Sequence, residues 1–558
     1  MNPTSPRLAD VDATFRRIPD AETAARYRAE GWWGDVTLAD RIAELAATRP
    51  EDTAFITGHG RYSWRRYEDD SARLATALAR LGLEPGERLG IRATDGATVH
   101  TAFLAAEKAG LTAVGIGARA GRREIEHLLA STGASALLTL DDGRDDDLDT
   151  EELRRAAPRL RHRIVVPVLE AGGAPLASFD GDPLDLAGVE AEDLSARRIG
   201  PDDLFMVNST SGTTGLPKCV MHTQNRWIYF HQRAVAHGRL VPEDVFLGGV
   251  PAPFGFGLWT AHFTPTLLGV PTVVLERFTA DAMIEAIERE RVTVLCCVST
   301  QFIMMLSSPR LADHDLSSLR VMFTGGEMVP YEQARSFEAR TGAQVLQFFG
   351  SNETGLFSGT KTTDTQDQRL RTAGQVVPEM NVRLFDDGRD VTDAGRGQPG
   401  GRGPAACMGY LGDPTANAEL FTPDGWMLMG DIVTVDAHGY LRVIGRKSDF
   451  IIRGGKNISA AQVEDAASSH PAVALAAAVP VPDPVFGERV CLFVELAEGA
   501  TLTLAELTGH MLAQGTSKEL LPERLVVLDE LPRSSGGKIA KGELKTALAE
   551  GAEGDATP

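Results

Sequence analysis

Apolar residues recur along the chain at two spacings, and a change of spacing marks a change of architecture. Between residues 22 and 48 they fall at helical intervals, with Leu38, Ile42, Leu45 and Ala46 on one face and Thr37 in an N-cap position. A short strand at 62–64 precedes an amphipathic helix at 67–81. Strands are then expected at 89–92, 136–139, 204–207, 292–298 and 321–324, with helices at 99–109 and 280–290 between them. The runs 204–207 and 292–298 are apolar without alternation, as parallel strands covered on both faces are. The pattern predicts an α/β fold with layered, mostly parallel sheets.

Past residue 375 the texture changes. Asp-Gly, Gly-Arg-Gly and Pro-Gly cut the chain into short pieces, which suits antiparallel strands and tight turns. Strands are expected at 439–444, 450–452, 491–496 and 525–528, and helices at 461–470, 504–514 and 541–549. The last stretch therefore reads as a small α+β domain, followed by a polar tail. The division is 1–447 for a large domain, 448–548 for a small one and 549–558 for the tail.

Composition narrows the function. At 558 residues the chain is too long for one ordinary core. Lys plus Arg total 56 and Asp plus Glu 77, a net charge of −21. So acidic a surface repels nucleic acid phosphate and anionic lipid, which excludes both as main partners. A nucleotide would need a local site of backbone N–H groups, a few cations or a metal. Five cysteines, at 219, 296, 297, 407 and 491, show no zinc-ligand spacing and fit reduced thiols in a cytoplasmic protein. Residues 1–17 lack the apolar core of a signal peptide, and no apolar run approaches the ~20 residues of a membrane helix. The Asp-rich stretch 141–149 reads as a solvated loop.

The strongest chemical signal is Ser209-Thr210-Ser211-Gly212-Thr213-Thr214-Gly215-Leu216-Pro217-Lys218, directly after the expected strand 204–207. Consecutive Ser, Thr and Gly offer hydroxyls and unobstructed backbone N–H groups, the makings of a nest for phosphate oxygens, and Lys218 adds a point charge. The spacing is not that of a Walker A loop.

This run resembles the phosphate loop of the acyl-adenylate-forming superfamily, which includes acyl-CoA synthetases, peptide-synthetase adenylation domains and luciferases. Further matches follow in order. Phe349-Gly350-Ser351-Asn352-Glu353 resembles the aromatic-Gly-x-Thr-Glu motif, and Gly409-Tyr410 with Thr415 the GY motif. Gly430-Asp431 resembles the TGD motif. Gly445-Arg446-Lys447-Ser448-Asp449, then Arg453-Gly454-Gly455-Lys456, resemble the hinge and its loop. Pro532 to Lys538 resembles the terminal lysine motif. The resemblance spans about residues 35–548.

The resemblance implies roles. Lys538, Glu353 and Asn352 become the catalytic residues, with Glu353 the Mg²⁺ ligand and Thr210 or Thr213 nearby. Gly325, Gly326, Glu327, Phe349 and Gly350 would surround adenine, while Asp431 and Arg446 hold the ribose. Ser448 stands where the family's hinge residue is usually Asp or Lys, with Gly454, Gly455 and Lys456 beside the thiol channel. Asn352 replaces the family's Thr, which normally reaches the α-phosphate and carboxylate. Aligning on Gly257 puts Phe254 where many members carry a His. Phe254, Phe256, Gly257 and Trp259 then suit the pocket of a flat acid, although core packing would also explain them. Residues 24–40, with Tyr27, Gly31, Trp32, Trp33 and Gly34, look like the openings of cyclohexanecarboxylate-type ligases and aryl acid–AMP ligases. His222 and His470 receive no catalytic role, and the cysteines are read as core or incidental.

The reading is an ATP- and Mg²⁺-dependent ligase that adenylates a small aromatic or cyclic acid and passes the acyl group to coenzyme A. Loading of a carrier-protein phosphopantetheine, adenylation of nitrite for an aryl amine, and nucleotide binding without turnover stay open beside it. The resemblance also allows a homodimer. Lys538→Ala is expected to lose most adenylation yet still turn over supplied acyl-adenylate with the thiol. Assays of the two half-reactions check this, and equal loss of both would contradict it.

Overall fold

We describe a computed structural model of the chain, which covers residues 19–141, 148–171, 176–210, 217–326, 329–453, 456–533 and 539–549. Its largest sheet has nine strands. The parallel centre runs Thr53–Thr57, Thr272–Val274, Phe246–Gly248, Val294–Cys296, Val321–Gly325 and Gln344–Phe349 in spatial order. Antiparallel strands close both edges. A second sheet of eight strands carries Cys219–His222, Met206–Ser209, Thr112–Ile116, Arg88–Arg92, Ala136–Leu140 and His162–Val166, mostly parallel, with a hairpin at the far edge. These layers match the expected α/β architecture.

The expected antiparallel region is a third sheet, including Arg396–Gly401, Asp431–Val435 and Leu441–Arg446. A fourth sheet follows, made of Phe450–Arg453, Lys456–Ser459, Val473–Asp483, Gly487–Leu496 and Arg524–Val527. Its face toward helices Ala460–Ser468 and Leu504–Ala513 buries Val463, Ala478, Leu507 and Met511. The opposite face sets Leu475, Ala477, Val479 and Phe493 against Phe302 and Phe337, beside the nine-stranded sheet. The strand Val473–Asp483 was not among the expected elements. It runs along the sheet edge, where Pro480 and Pro482 cost no ladder bond.

The expected helix over 22–48 is two helices. Ala21–Ala29 ends before Gly31, whose φ of 73° takes the chain into the left-handed region. Leu38–Thr48 starts afresh on a capping box between Thr37 and Asp40. The residues between form a strap. Trp33 is buried against Tyr27, and its indole N–H donates to Pro404 O at 3.1 Å. The amides of Gly34 and Leu38 donate to the side chains of Asn225 and Gln224. Both belong to helix Gln224–Gly238, which also carries Arg226.

One buried ion pair locks the strand that leads into the candidate site. Glu338 on helix Tyr331–Thr341 accepts from the Val345 amide and from the guanidinium of Arg369, both side chains being 7% exposed. Helix, strand Gln344–Phe349 and helix Gln366–Arg371 are thereby joined. Arg369→Met leaves the carboxylate buried and unpaired, so we expect a loss of about 3–5 kcal/mol in chemical denaturation.

Candidate active site

Strands Met206–Ser209 and Cys219–His222 pair antiparallel and close the ends of the Ser/Thr/Gly loop. The Thr210 amide donates to Lys218 O at 3.1 Å, and the Lys218 amide to Thr210 Oγ1 at 3.2 Å. Ser211, Gly212, Thr213, Thr214 and Gly215 lie outside the described residues, as do Glu327, Gly454, Gly455 and Lys538. The Lys218 ammonium sits 5.0 Å from the centre of the Tyr410 ring. The Tyr410 hydroxyl in turn donates to Glu353 Oε1 at 2.7 Å. Burial, and then the Glu353 carboxylate, raise the Tyr410 hydroxyl well above the ordinary phenol range, so it stays a donor. The cation at the end of the Ser/Thr/Gly loop and the carboxylate expected to hold Mg²⁺ thus share one phenol.

Gly350 can only be glycine: a Cβ there would stand 1.6 Å from Gly355 O. The turn it permits brings Asn352 and Glu353 back over the second sheet. Their carbonyls accept from the Arg226 guanidinium at 2.9 and 3.3 Å, and Arg226 Nε donates to Ala405 O at 2.8 Å. The Glu353 carbonyl also accepts from the Cys407 amide at 2.7 Å. Arg226 is fully buried, and desolvation pushes its guanidinium down to about 10. It also donates to His222 Nδ1 at 2.5 Å, and His222 Nε2 meets Asn208 Oδ1 at 2.6 Å. Burial and Arg226 keep His222 neutral, well below the usual imidazole range. Asn208 and Asn352 face each other amide to amide, at 2.6 and 3.2 Å.

Asp431 and Arg446 are register partners on adjacent strands, with side chains 3.7 Å apart. They present a carboxylate and a half-exposed guanidinium side by side, the acceptor that a ribose diol and the donor that a phosphate require. Gly325 ends its strand where a Cβ would lie 2.5 Å from Phe348 O, and Gly326 follows with φ at 82°. Phe349 closes the neighbouring strand, partly exposed. Lys447, Ser448 and Asp449 form one 3₁₀ turn, and the Lys447 amide donates to Gly430 O at 2.7 Å. Lys456 pairs with Glu519.

The 253–257 segment lies beside this cluster. Pro253 rests on Gly115, and Phe254 packs over Gly117. Its carbonyl neighbour, Pro253 O, accepts from Asn208 Nδ2 at 3.1 Å. A Cβ on Gly255 would be 2.7 Å from Asn352 Oδ1. Phe254 and Phe256 are partly exposed, and Gly257 leaves no room for a Cβ against Pro251 O. Trp259 is placed differently. It is 1% exposed, enclosed by Phe230, Phe256, Phe323 and Phe348, and so backs the wall as core. The five cysteines are buried thiols, with burial pushing Cys219 and Cys407 up to about 12. Asn208 and Arg226 were not singled out in the sequence.

Comparison with known proteins gives the family of the chain. Residues 42–411 match the AMP-binding enzyme family, and residues 462–538 match the AMP-binding enzyme C-terminal domain. The chain belongs to the AMP-binding enzyme family and is an AMP-forming acid–thiol ligase. It is 31% identical to the medium-chain fatty-acid–CoA ligase of Escherichia coli over 97% of this chain and 96% of that one. It is 34% identical to the 2-hydroxy-7-methoxy-5-methyl-1-naphthoate–CoA ligase of Streptomyces carzinostaticus, covering 97% and 98%. The crystal structure of an anthranilate CoA ligase in complex with anthranoyl-AMP superposes with a TM-score of 0.84 at 24% identity, covering 93% and 98%. No helix among the described residues is long and apolar enough to cross a membrane.

Behind the 253–257 segment, Asp95 is 5% exposed and accepts from the Ala252 amide at 3.3 Å. Burial pushes its carboxyl up to about 8. The folded chain thus keeps a proton that the unfolded chain loses near pH 4. Between about pH 4 and that value, every rise in pH costs folded stability. Asp95→Asn removes this dependence while leaving an acceptor for Ala252. Its melting temperature should gain on that of the parent as the pH is raised from 5 to 8.5.

Proposed function

We propose that this ligase adenylates a small aromatic or cyclic carboxylic acid with ATP and Mg²⁺, then transfers the acyl group to coenzyme A. The observation that carries the proposal is the gathering of Lys218, Tyr410, Glu353 and Asn352 beside the flat Phe254 and Phe256 side chains. The naphthoate–CoA ligase, among the relatives, acts on an acid of that shape by its name. Reading nitrite as the acid gains no support from relatives named for acid–CoA ligation.

In the first half-reaction a carboxylate oxygen of the acid attacks the α-phosphorus. A new P–O bond forms as the bond to pyrophosphate breaks, and no proton need move. Charge grows on phosphoryl oxygens, so placed donors do most of the work. Lys218 and the closed ends of the 209–218 loop hold the β- and γ-phosphates. Asn352 donates its amide N–H toward the α-phosphate and the incoming carboxylate. Asp431 accepts both ribose hydroxyls, and Arg446 lies against the ribose-phosphate side. Glu353 fits a hard cation, being a carboxylate steadied by a phenol donor beside the phosphate loop. Mg²⁺ held there would neutralise phosphate charge. Lys538 would contact the carboxylate–phosphate bridge.

In the second half-reaction a thiolate attacks the acyl carbon, and the C–O bond to AMP breaks. Turning the fourth sheet about Ser448 would withdraw Lys538 and bring up the 453–456 loop for the pantetheine arm. Carrier loading would use the same first step and differ only in the thiol.

The test is ATP conversion to AMP and pyrophosphate against aryl, amino-aryl, cyclohexane and straight-chain acids, with and without coenzyme A. An aryl or cyclic acid turning over fully only with coenzyme A is the expected result. Preference for straight-chain acids would overturn the acid class. Single-turnover adenylate formation indifferent to coenzyme A would favour a carrier protein as acceptor.

A further inference from the structure

We infer that Arg226, His222 and Asn208 are positioning residues: together they decide which atom of Asn352 faces the reacting carboxylate. The inference rests on the roles proposed above for Asn352 and Glu353.

The argument is a count of protons around a closed ring. Arg226 Nη1 carries two hydrogens. One goes to the Asn352 carbonyl at 2.9 Å and the other to His222 Nδ1 at 2.5 Å. A guanidinium stays protonated at working pH, so His222 Nδ1 must offer its lone pair. The neutral imidazole then carries its hydrogen on Nε2, which donates to Asn208 Oδ1 at 2.6 Å. That contact turns the Asn208 amide. Its oxygen faces His222, and its nitrogen donates to Pro253 O at 3.1 Å and to Asn352 Oδ1 at 3.2 Å. Asn352 answers by donating from Nδ2 to Asn208 Oδ1 at 2.6 Å.

Every orientation in the ring therefore follows from one cation. Reversing the Asn352 amide would set oxygen against oxygen and N–H against N–H across the pair. The second hydrogen on Asn352 Nδ2 lies outside the ring and supplies the donor that a threonine hydroxyl supplies in other members. Gly255 closes the opposite side, since any Cβ there would strike Asn352 Oδ1. The same guanidinium holds the Glu353 carbonyl, so metal ligand and donor share one support.

ATP–pyrophosphate exchange tests this, with kcat and KM measured for acid and ATP and each variant's fold checked by thermal melting. Asn352→Ala should lower exchange kcat about 100-fold, the usual size for a lost transition-state donor. His222→Leu should fall into the same range with KM for ATP changed less than about threefold. His222→Gln, which retains an N–H for Asn208, should recover most of the loss. The double variant His222→Leu/Asn352→Ala should be no slower than Asn352→Ala alone, because His222 acts through Asn352. Additive losses, or a His222→Leu variant with the parent's kcat, would overturn the inference while leaving the reading of Asn352 standing. An Asn352→Ala variant with the parent's kcat would overturn both. Should His222→Leu fail to fold, Asn208→Asp carries the same test. It replaces the amide N–H with a second acceptor oxygen, so the pair no longer distinguishes the two orientations of the Asn352 amide, and a kcat equal to the parent's would again overturn the inference.

Discussion

A guanidinium without water around it constrains the centre of this molecule. Arg226 is fully buried, and burying a charge is tolerable only when its donors are satisfied. Here four of the five N–H groups go to the carbonyls of Asn352, Glu353 and Ala405 and to one imidazole. Those carbonyls belong to two segments, one following strand Gln344–Phe349 of the nine-stranded sheet and one following strand Arg396–Gly401 of the third sheet. The helix that carries Arg226 follows strand Cys219–His222 of the second sheet and packs Phe230 and His237 against Phe348. One cation thus fastens three layers at the point where the chemistry is expected, and the loop made possible by Gly350 has a single way to lie.

Parts of this were legible in the sequence, and the reason is local spacing. Helices Ala280–Glu290 and Lys541–Ala549 stand where the periodicity put them, since their apolar positions recur among adjacent residues. The Ser/Thr/Gly run, Phe349–Glu353 and Gly430–Asp431 stand out as motifs for the same reason: each is contiguous. Other parts were hidden by distance or by composition. Four alanines and two prolines disguise the strand Val473–Asp483, whose partner and edge position alone make it extended. The break after Ala29 depends on a left-handed glycine that a helical wheel does not see. Arg226 bonds mainly to backbone carbonyls, which carry no side-chain signature, at separations of 126 to 179 residues. Asn208 looks like an ordinary strand residue until Asn352 is opposite it. Trp259 read as readily for pocket as for core, and only its enclosure by four phenylalanines distinguishes them.

The two faces of the fourth sheet bear on how such an enzyme changes thiol chemistry for phosphate chemistry. One face is covered by its own helices and needs no neighbour. The other sets Leu475, Val479 and Phe493 against Phe302 and Phe337. A rotation about Ser448 would have to expose that second face or exchange it for another apolar surface. The 447–449 turn is short, and Lys447 holds to Gly430 through its amide and to Asp387 through its ammonium. A rotation there would break few polar contacts beside these and Gln333 to Ser468 O, and would exchange side-chain packing as a unit.

The strap around Trp33 has a practical consequence for anyone trimming the chain. The family match begins at residue 42, which invites a boundary there. Yet Trp33, Gly34 and Leu38 hold Pro404, Asn225 and Gln224, the last two immediately preceding Arg226 on the same helix. Cutting at 42 would strip the outer surface from that helix turn and leave Gln224 and Asn225 facing a vacated groove. A unit that keeps this helix turn covered thus starts before the family match does, near the helix Ala21–Ala29.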